Sequence, residues 1–129
     1  MFQELSIGLL LLLRRDIWVK EVLNETKIEA ILEMTGIGEC FEVILSGEEV
    51  QRGKPYPDIF LKTAEMLKVN TLECVVIEDS TNGVKAALSA GMKCIGFANL
   101  NSGLQDLSRA STIIDSICKI KYNFVTSIM

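Results

Sequence analysis

The residues best suited to chemistry lie in two stretches, SGEEVQRGKPYPDIF (residues 46–60) and VVIEDSTNG (residues 75–83). In the second, an apolar run ends on two adjacent carboxylates, Glu78 and Asp79. Carboxylates at the point where a buried strand gives way to a loop are costly unless a cation or hydrogen bonds compensate them. A hard cation with oxygen ligands, magnesium above all, is one explanation. The other is that Asp79 caps the helix that follows while Glu78 is solvated. VVIEDSTNG by itself favours neither. Lys54, held between Gly53 and Pro55 in a loop after another apolar run, reads as an ordinary surface lysine or as a point charge for a phosphoryl group or a carboxylate nucleophile. The chain contains no histidine, which excludes Ser-His pairs and histidine general bases. Carboxylates, lysine and a metal remain.

The elements that must position these residues follow from apolar spacing and from helix start and stop signals. Residues 7–13 are continuously apolar and read as a strand covered on both faces, as in a parallel sheet. Apolar residues recur at helical spacing over 17–35, with Asp16 as a cap and Gly36 as a stop. Within that span VLNETKI is echoed by ILEMTGI, so the helix is unusually long or split in two. A short strand is expected over 41–45, and a helix from Pro57 to about Lys68 with Ile59, Phe60, Ala64 and Leu67 on its buried side. Residues 74–77 form a third strand; Ser80 to Asn82 supply caps for a helix rich in small residues that ends at Gly91. A fourth strand over 93–97, a short helix over 103–109 and an edge strand over 112–114 complete the pattern. Alternating strands and helices imply an α/β layer with a mostly parallel sheet, whose ligands gather beyond the carboxyl ends of the strands. Glu78 and Asp79 lie at such an end.

Composition narrows the partners. A chain of 129 residues with 49% apolar and 23% charged residues is one globular domain's worth, and its net charge of −4 argues against nucleic acid or an anionic membrane. LSIGLLLLLRR has its positive charges after the apolar run and is shorter than the roughly 20 residues of a membrane-spanning helix, so it reads as a buried strand. Cys40, Cys74, Cys94 and Cys118 are widely spaced and form no C-x-x-C pair. They are read as reduced, mostly buried thiols of an intracellular, cytoplasmic protein.

Taken together, SGEEVQRGKPYPDIF followed by VVIEDSTNGVKAALSAGM resembles the haloacid dehalogenase superfamily, in its β-phosphoglucomutase-like phosphatase branch. The resemblance runs from roughly Leu5 to Ile120 and corresponds to the second half of the family's catalytic core. It implies a Rossmann-like three-layer α/β/α domain over residues 1–120, without the family's first, central strand and helical cap, and a carboxyl-terminal tail over 121–129. By the same resemblance Lys54 steadies the phosphoryl group and the nucleophilic aspartate, Asp79 binds Mg2+ with Glu78 beside it in the metal shell, and Ser80 and Asn82 orient the loop. The implied activity is that of a magnesium-dependent phosphatase or phosphomutase acting on small phosphorylated metabolites such as sugar phosphates.

The sequence departs from the family in two places. The family's nucleophile lies in a D-x-D pair near the amino terminus, whereas the five aspartates here, Asp16, Asp58, Asp79, Asp106 and Asp115, form no such pair. No nucleophile is assigned, and these residues alone are expected to be inactive. The alternatives are a non-catalytic phosphate- or metal-binding or interaction domain, or a truncated gene product. The family also places a serine or threonine at the end of the strand matching residues 7–13, where this chain has Leu9 to Leu13. A second register aligns ILEMTGI with the family helix and brings Asn24 or Thr26 near the phosphate loop; the first is preferred because RRDIWVKEVLNETKI also continues as the family does. Without the central strand, the strands over 7–13 and 74–77 are expected to pair directly or to be covered by another chain, giving self-association through sheet edges.

Overall fold

The apolar run that ends on Glu78 is a strand buried along its whole length. A computed structural model describes it together with residues 9–12, 45, 49–98, 103–116, 119 and 122–128. In chain order the elements are β1 (Leu9–Leu12), α1 (Asp58–Leu67), a short 3-10 turn (Thr71–Glu73), β2 (Cys74–Glu78), α2 (Thr81–Ser89), β3 (Lys93–Phe97), β4 (Thr112–Ile114) and α3 (Tyr122–Ile128). The strands form one sheet in the order β1-β2-β3-β4.

Side chains of a strand alternate between faces, and in β2 this divides the core in two. Cys74 and Val76 join Ile59, Phe60 and Ala64 of α1 and Val84, Ala86 and Ala87 of α2 in one apolar cluster. Val75 and Ile77 join Ile95, Ile114 and Val125 of α3 in a second. Helices therefore cover both faces, as the Rossmann-like reading of the sequence requires. Residues 121–129, set apart in the sequence as a tail, include α3, whose Val125 is fully buried against the sheet.

Local signals account for the helix ends. Ser80 is the N-cap of α2, its Oγ accepting the Gly83 N–H at 3.0 Å. At the other end Gly91, at φ 77°, lets the Gly91 N–H reach the Leu88 carbonyl and the Met92 N–H reach that of Ala87. A left-handed residue at this position closes the last turn, and glycine adopts it without steric cost. Small residues on the buried side of α2 let it lie close on the sheet. Gly83 is the extreme case, because a Cβ there would overlap the carboxylate of Glu78.

Two expectations change. The pairings β2–β3 and β3–β4 are parallel, but β1 runs antiparallel to β2, with Leu9 opposite Ile77 and Leu12 opposite Cys74. Direct pairing of these strands was anticipated; their opposed direction was not, since an unbroken leucine run carries no polar alternation that could fix orientation. Residues 103–109 form no helix. Amides in and just after this segment are taken by side chains and a turn: the Asp106 N–H donates to Thr81 Oγ1, the Ser108 N–H to Asp106 Oδ1, and the following Ala110 N–H to the Leu107 carbonyl. The helix expected over 17–35, with its two registers, lies outside the described residues, as does the strand over 41–45 except for Leu45, which is buried.

Cys74 and Cys94 are buried free thiols on adjacent strands. Burial, aided by the nearby Glu73 charge, pushes the Cys74 thiol up to about 11; burial, aided by the charge of Glu78, pushes Cys94 up to about 12. The thiolate is the reactive form, so both should resist iodoacetamide at neutral pH in the native protein and react in denaturant. Peptide mass mapping of the two samples checks this; native labelling at either position would contradict the packing.

Candidate active site at the carboxyl end of the second strand

Period-two alternation carries Glu78 to the face of β2 that α2 covers. There its side chain is 0% exposed, wedged beneath Gly83 and held at both oxygens. Lys54 Nζ donates to Oε1 at 2.8 Å, and Ser80 Oγ donates to Oε2 at 2.8 Å. Ser80 thus serves two groups at once, capping α2 and bonding Glu78. Burial raises the Glu78 carboxyl above the usual carboxylate range, opposed by the Lys54 ammonium and by the Lys54 and Ser80 hydrogen bonds. A buried carboxylate with two such donors is an anchor for the lysine.

The loop that presents Lys54 is braced on both sides. Arg52 forms a two-pronged pair with Asp58 in the first turn of α1, at 3.3 and 2.9 Å, and its guanidinium lies 4.5 Å from the centre of the Tyr56 ring. Lys62 Nζ donates to the Glu49 carbonyl at 2.9 Å. Lys54 Nζ itself stands 5.4 Å from the centre of the buried Phe60 ring, within the range of a cation–π contact. The Lys54–Pro55 peptide is cis.

Asp79, one residue on, is 3% exposed and lines an open cavity of about 450 Å³, together with Phe97, Ala98, Gly103, Leu104, Gln105 and Leu107. Lys54 and Glu78 are not among its lining residues. The sequence-predicted residues therefore separate into a lysine–carboxylate–hydroxyl cluster of Lys54, Glu78 and Ser80, and a neighbouring carboxylate, Asp79, that meets the cavity. Asn82, the second residue of α2, is exposed. The turn after β2 is also tied to residues 103–107: the Thr81 N–H donates to Gln105 Oε1 at 3.0 Å. No local pattern marks that contact, which joins residues 24 apart in the sequence.

The donor set bears on magnesium. Among the described residues no three acidic, histidine or cysteine side chains converge, and both Glu78 oxygens already accept hydrogen bonds. Magnesium commonly keeps several waters and takes one or two carboxylates plus substrate phosphate oxygens. A single hard carboxylate facing a cavity, Asp79, fits that mode of binding.

A three-layer α/β/α domain with a lysine and adjacent acids at a strand's carboxyl end defines a Rossmann-like fold. The family model for haloacid dehalogenase-like hydrolases matches residues 24–91, more than half of the chain, and the chain belongs to that family. It is 43% identical over 86 residues to the bifunctional riboflavin kinase/FMN phosphatase of Arabidopsis thaliana, covering 67% of this chain and 23% of that protein. The fold matches a β-phosphoglucomutase from Clostridium difficile with a TM-score of 0.70 and 30% identity, over 81% of this chain and 45% of that one. A hydrolase of the same family from Deinococcus radiodurans, solved with bound phosphate and sodium, matches with a TM-score of 0.69 and 28% identity, over 84% of this chain and 52% of that one. The chain thus spans less than two thirds of the length of each of these relatives.

Proposed function

We propose that these residues form the lysine-and-acid half of a magnesium-dependent phosphatase or phosphomutase site for small phosphorylated metabolites such as sugar phosphates, in a cytoplasmic protein. The observation that carries this reading is Lys54 Nζ fixed at 2.8 Å on the buried Glu78, beside an Asp79 that meets a cavity. Glu78 aims and holds the ammonium. Lys54 offers positive charge to a phosphoryl group, Ser80 keeps the Glu78 carboxylate in place, and Asp79 holds the metal. Bound magnesium would supply charge compensation for phosphoryl oxygens as transfer proceeds. The bound phosphate of the Deinococcus relative and the sugar-phosphate chemistry named for the Clostridium relative support the choice of ligand class.

A second reading, a non-catalytic phosphate- or metal-binding domain, is favoured by one observation. The position beside the acid-bearing β2 is taken by β1, whose four residues are all leucine and offer no nucleophile. The two readings share a site and differ in turnover. The purified 129-residue chain is expected to bind Mn2+, used as a paramagnetic stand-in for Mg2+, and to show no hydrolysis of p-nitrophenyl phosphate with Mg2+. Hydrolysis that disappears in Asp79→Asn would overturn the expectation of inactivity and establish the enzymatic reading. Self-association through the β1 edge belongs to the same proposal, and size-exclusion chromatography with light scattering reads it directly.

A further inference from the structure

The turn that carries Asp79 and the loop that walls its cavity are joined by two hydrogen bonds of opposite sense. The Thr81 N–H donates to Gln105 Oε1 at 3.0 Å, and the Asp106 N–H donates to Thr81 Oγ1 at 2.8 Å. We propose that Thr81 and Gln105 are positioning residues for Asp79, forming a reciprocal clasp that fixes this acid against the cavity it lines. The inference rests on the reading of Asp79 as the metal-binding acid.

The backbone of the site explains why a clasp is needed. The first amides of a helix have no intrahelical acceptor. In α2 the Gly83 N–H is taken by Ser80, and the Thr81 N–H is taken by Gln105. Thr81 is two residues beyond Asp79, so any shift of Thr81 is passed to the acid through two peptide units. The 103–107 loop has no helix or strand of its own. It is pinned at one end by the buried Leu107, which packs so tightly on Gly96 that a Cβ there would come within 3.1 Å of the Leu107 Cβ. The clasp holds the loop at its middle, through Gln105 and the adjoining Asp106. One hydrogen bond would leave the two segments free to pivot; a second of opposite direction, one residue on, removes that freedom.

The clasp is on the surface: Thr81 is half-buried and Gln105 exposed. Water can replace either hydrogen bond when a partner is removed, but it cannot hold the two segments in register. Removing the clasp should therefore change metal affinity much more than thermal stability. Groups that orient a metal ligand from outside typically change metal affinity about 10–100-fold when replaced.

The test compares Gln105→Ala, Thr81→Val and Thr81→Ser with the parent chain. Three quantities are read: Mn2+ affinity by electron paramagnetic resonance, the Asp79 resonances by NMR, and amide exchange at Thr81 and Asp106. Gln105→Ala and Thr81→Val should weaken Mn2+ binding about 10–100-fold, move the Asp79 resonances and speed exchange of the amide that loses its acceptor, with melting temperatures close to the parent's. Thr81→Ser, which keeps the hydroxyl, should bind as the parent does. Unchanged Mn2+ affinity and unmoved Asp79 resonances in the first two variants would overturn the clasp, as would an equal loss in Thr81→Ser and Thr81→Val. A parent chain that binds no Mn2+ would instead sink the metal reading of Asp79. The clasp would then be decided by the Asp79 resonances and the exchange rates alone, and it falls if Gln105→Ala leaves both unchanged.

Discussion

Replacing Gly83 by alanine is expected to destabilise the fold by about 3–5 kcal/mol, and removing the Glu78 side chain is expected to abolish most of that effect. Helix propensity alone predicts the opposite sign, since alanine is favoured over glycine within a helix by about 1 kcal/mol. The difference comes from one contact. A Cβ at Gly83 overlaps Oε2, Cδ and Cγ of Glu78, and that carboxylate has nowhere to move while Lys54 holds one oxygen and Ser80 the other. Overpacking alone costs about 1–3 kcal/mol, and tearing a buried carboxylate from its lysine adds a share of the 3–5 kcal/mol typical of a broken buried pair. In Glu78→Ala the obstruction is gone, so adding Gly83→Ala should cost nothing or stabilise by up to about 1 kcal/mol. Urea unfolding of the parent, both single variants and the double variant measures the coupling. Additive effects would show that Glu78 does not lie beneath Gly83.

Lys54→Met should cost about 3–5 kcal/mol at neutral pH, because the methionine keeps the apolar stem beside Phe60 but leaves the fully buried Glu78 with Ser80 as its remaining donor. The loss should also depend on pH. Burial already raises the Glu78 carboxyl with the ammonium present; without Lys54 that effect is less opposed. A carboxyl raised in the folded state keeps a proton that the unfolded chain has released, so stability is highest below the unfolded value and falls as pH climbs toward the folded one. Relative to the parent, Lys54→Met should lose least near pH 5 and most near pH 8. Chemical denaturation across that range checks the sign. A loss that is equal at both ends, or larger in acid, would mean that Glu78 does not depend on Lys54 for its charge.

These two experiments address a cluster that is only partly written in local sequence. The motif stretches single out Lys54, Glu78, Asp79 and Ser80, and a costly pair of acids at a strand end already calls for compensation. The sequence leaves open whether a metal cation compensates them or Asp79 caps the next helix while Glu78 is solvated. The structure divides the answer: Glu78 is compensated by Lys54 and Ser80, while Asp79 meets the cavity. Nor does the sequence reveal Thr81 and Gln105. Ser80 and Asn82 are the residues the resemblance assigns to the loop; in the structure Ser80 caps α2 and bonds Glu78, and Asn82 is exposed.

The elements divide in the same way. Pro57 and the apolar spacing after it, the Ser80 cap and the Gly91 stop act on residues within a turn or two of themselves, and α1, α2, β2, β3 and β4 appear where those signals place them. The segment over 103–109 shows where such reasoning fails. It carries helix-compatible residues between two turns, but Thr81 and Cys94 supply partners to residues 106 and 111 that compete with the helical hydrogen bonds. The direction of β1 fails for a different reason: four leucines present the same surface whichever way the strand runs.

What the sequence determined by itself was the α/β alternation, the family resemblance and the identity of the charged residues at the end of β2, because each depends on short-range patterns of polarity, caps and breakers. Only the tertiary structure decided which acid pairs with the lysine. That choice depends on the face to which strand alternation turns each side chain, on the closeness of a helix at Gly83, and on a loop that returns 24 residues away in sequence. None of these distances exists until the sheet is assembled.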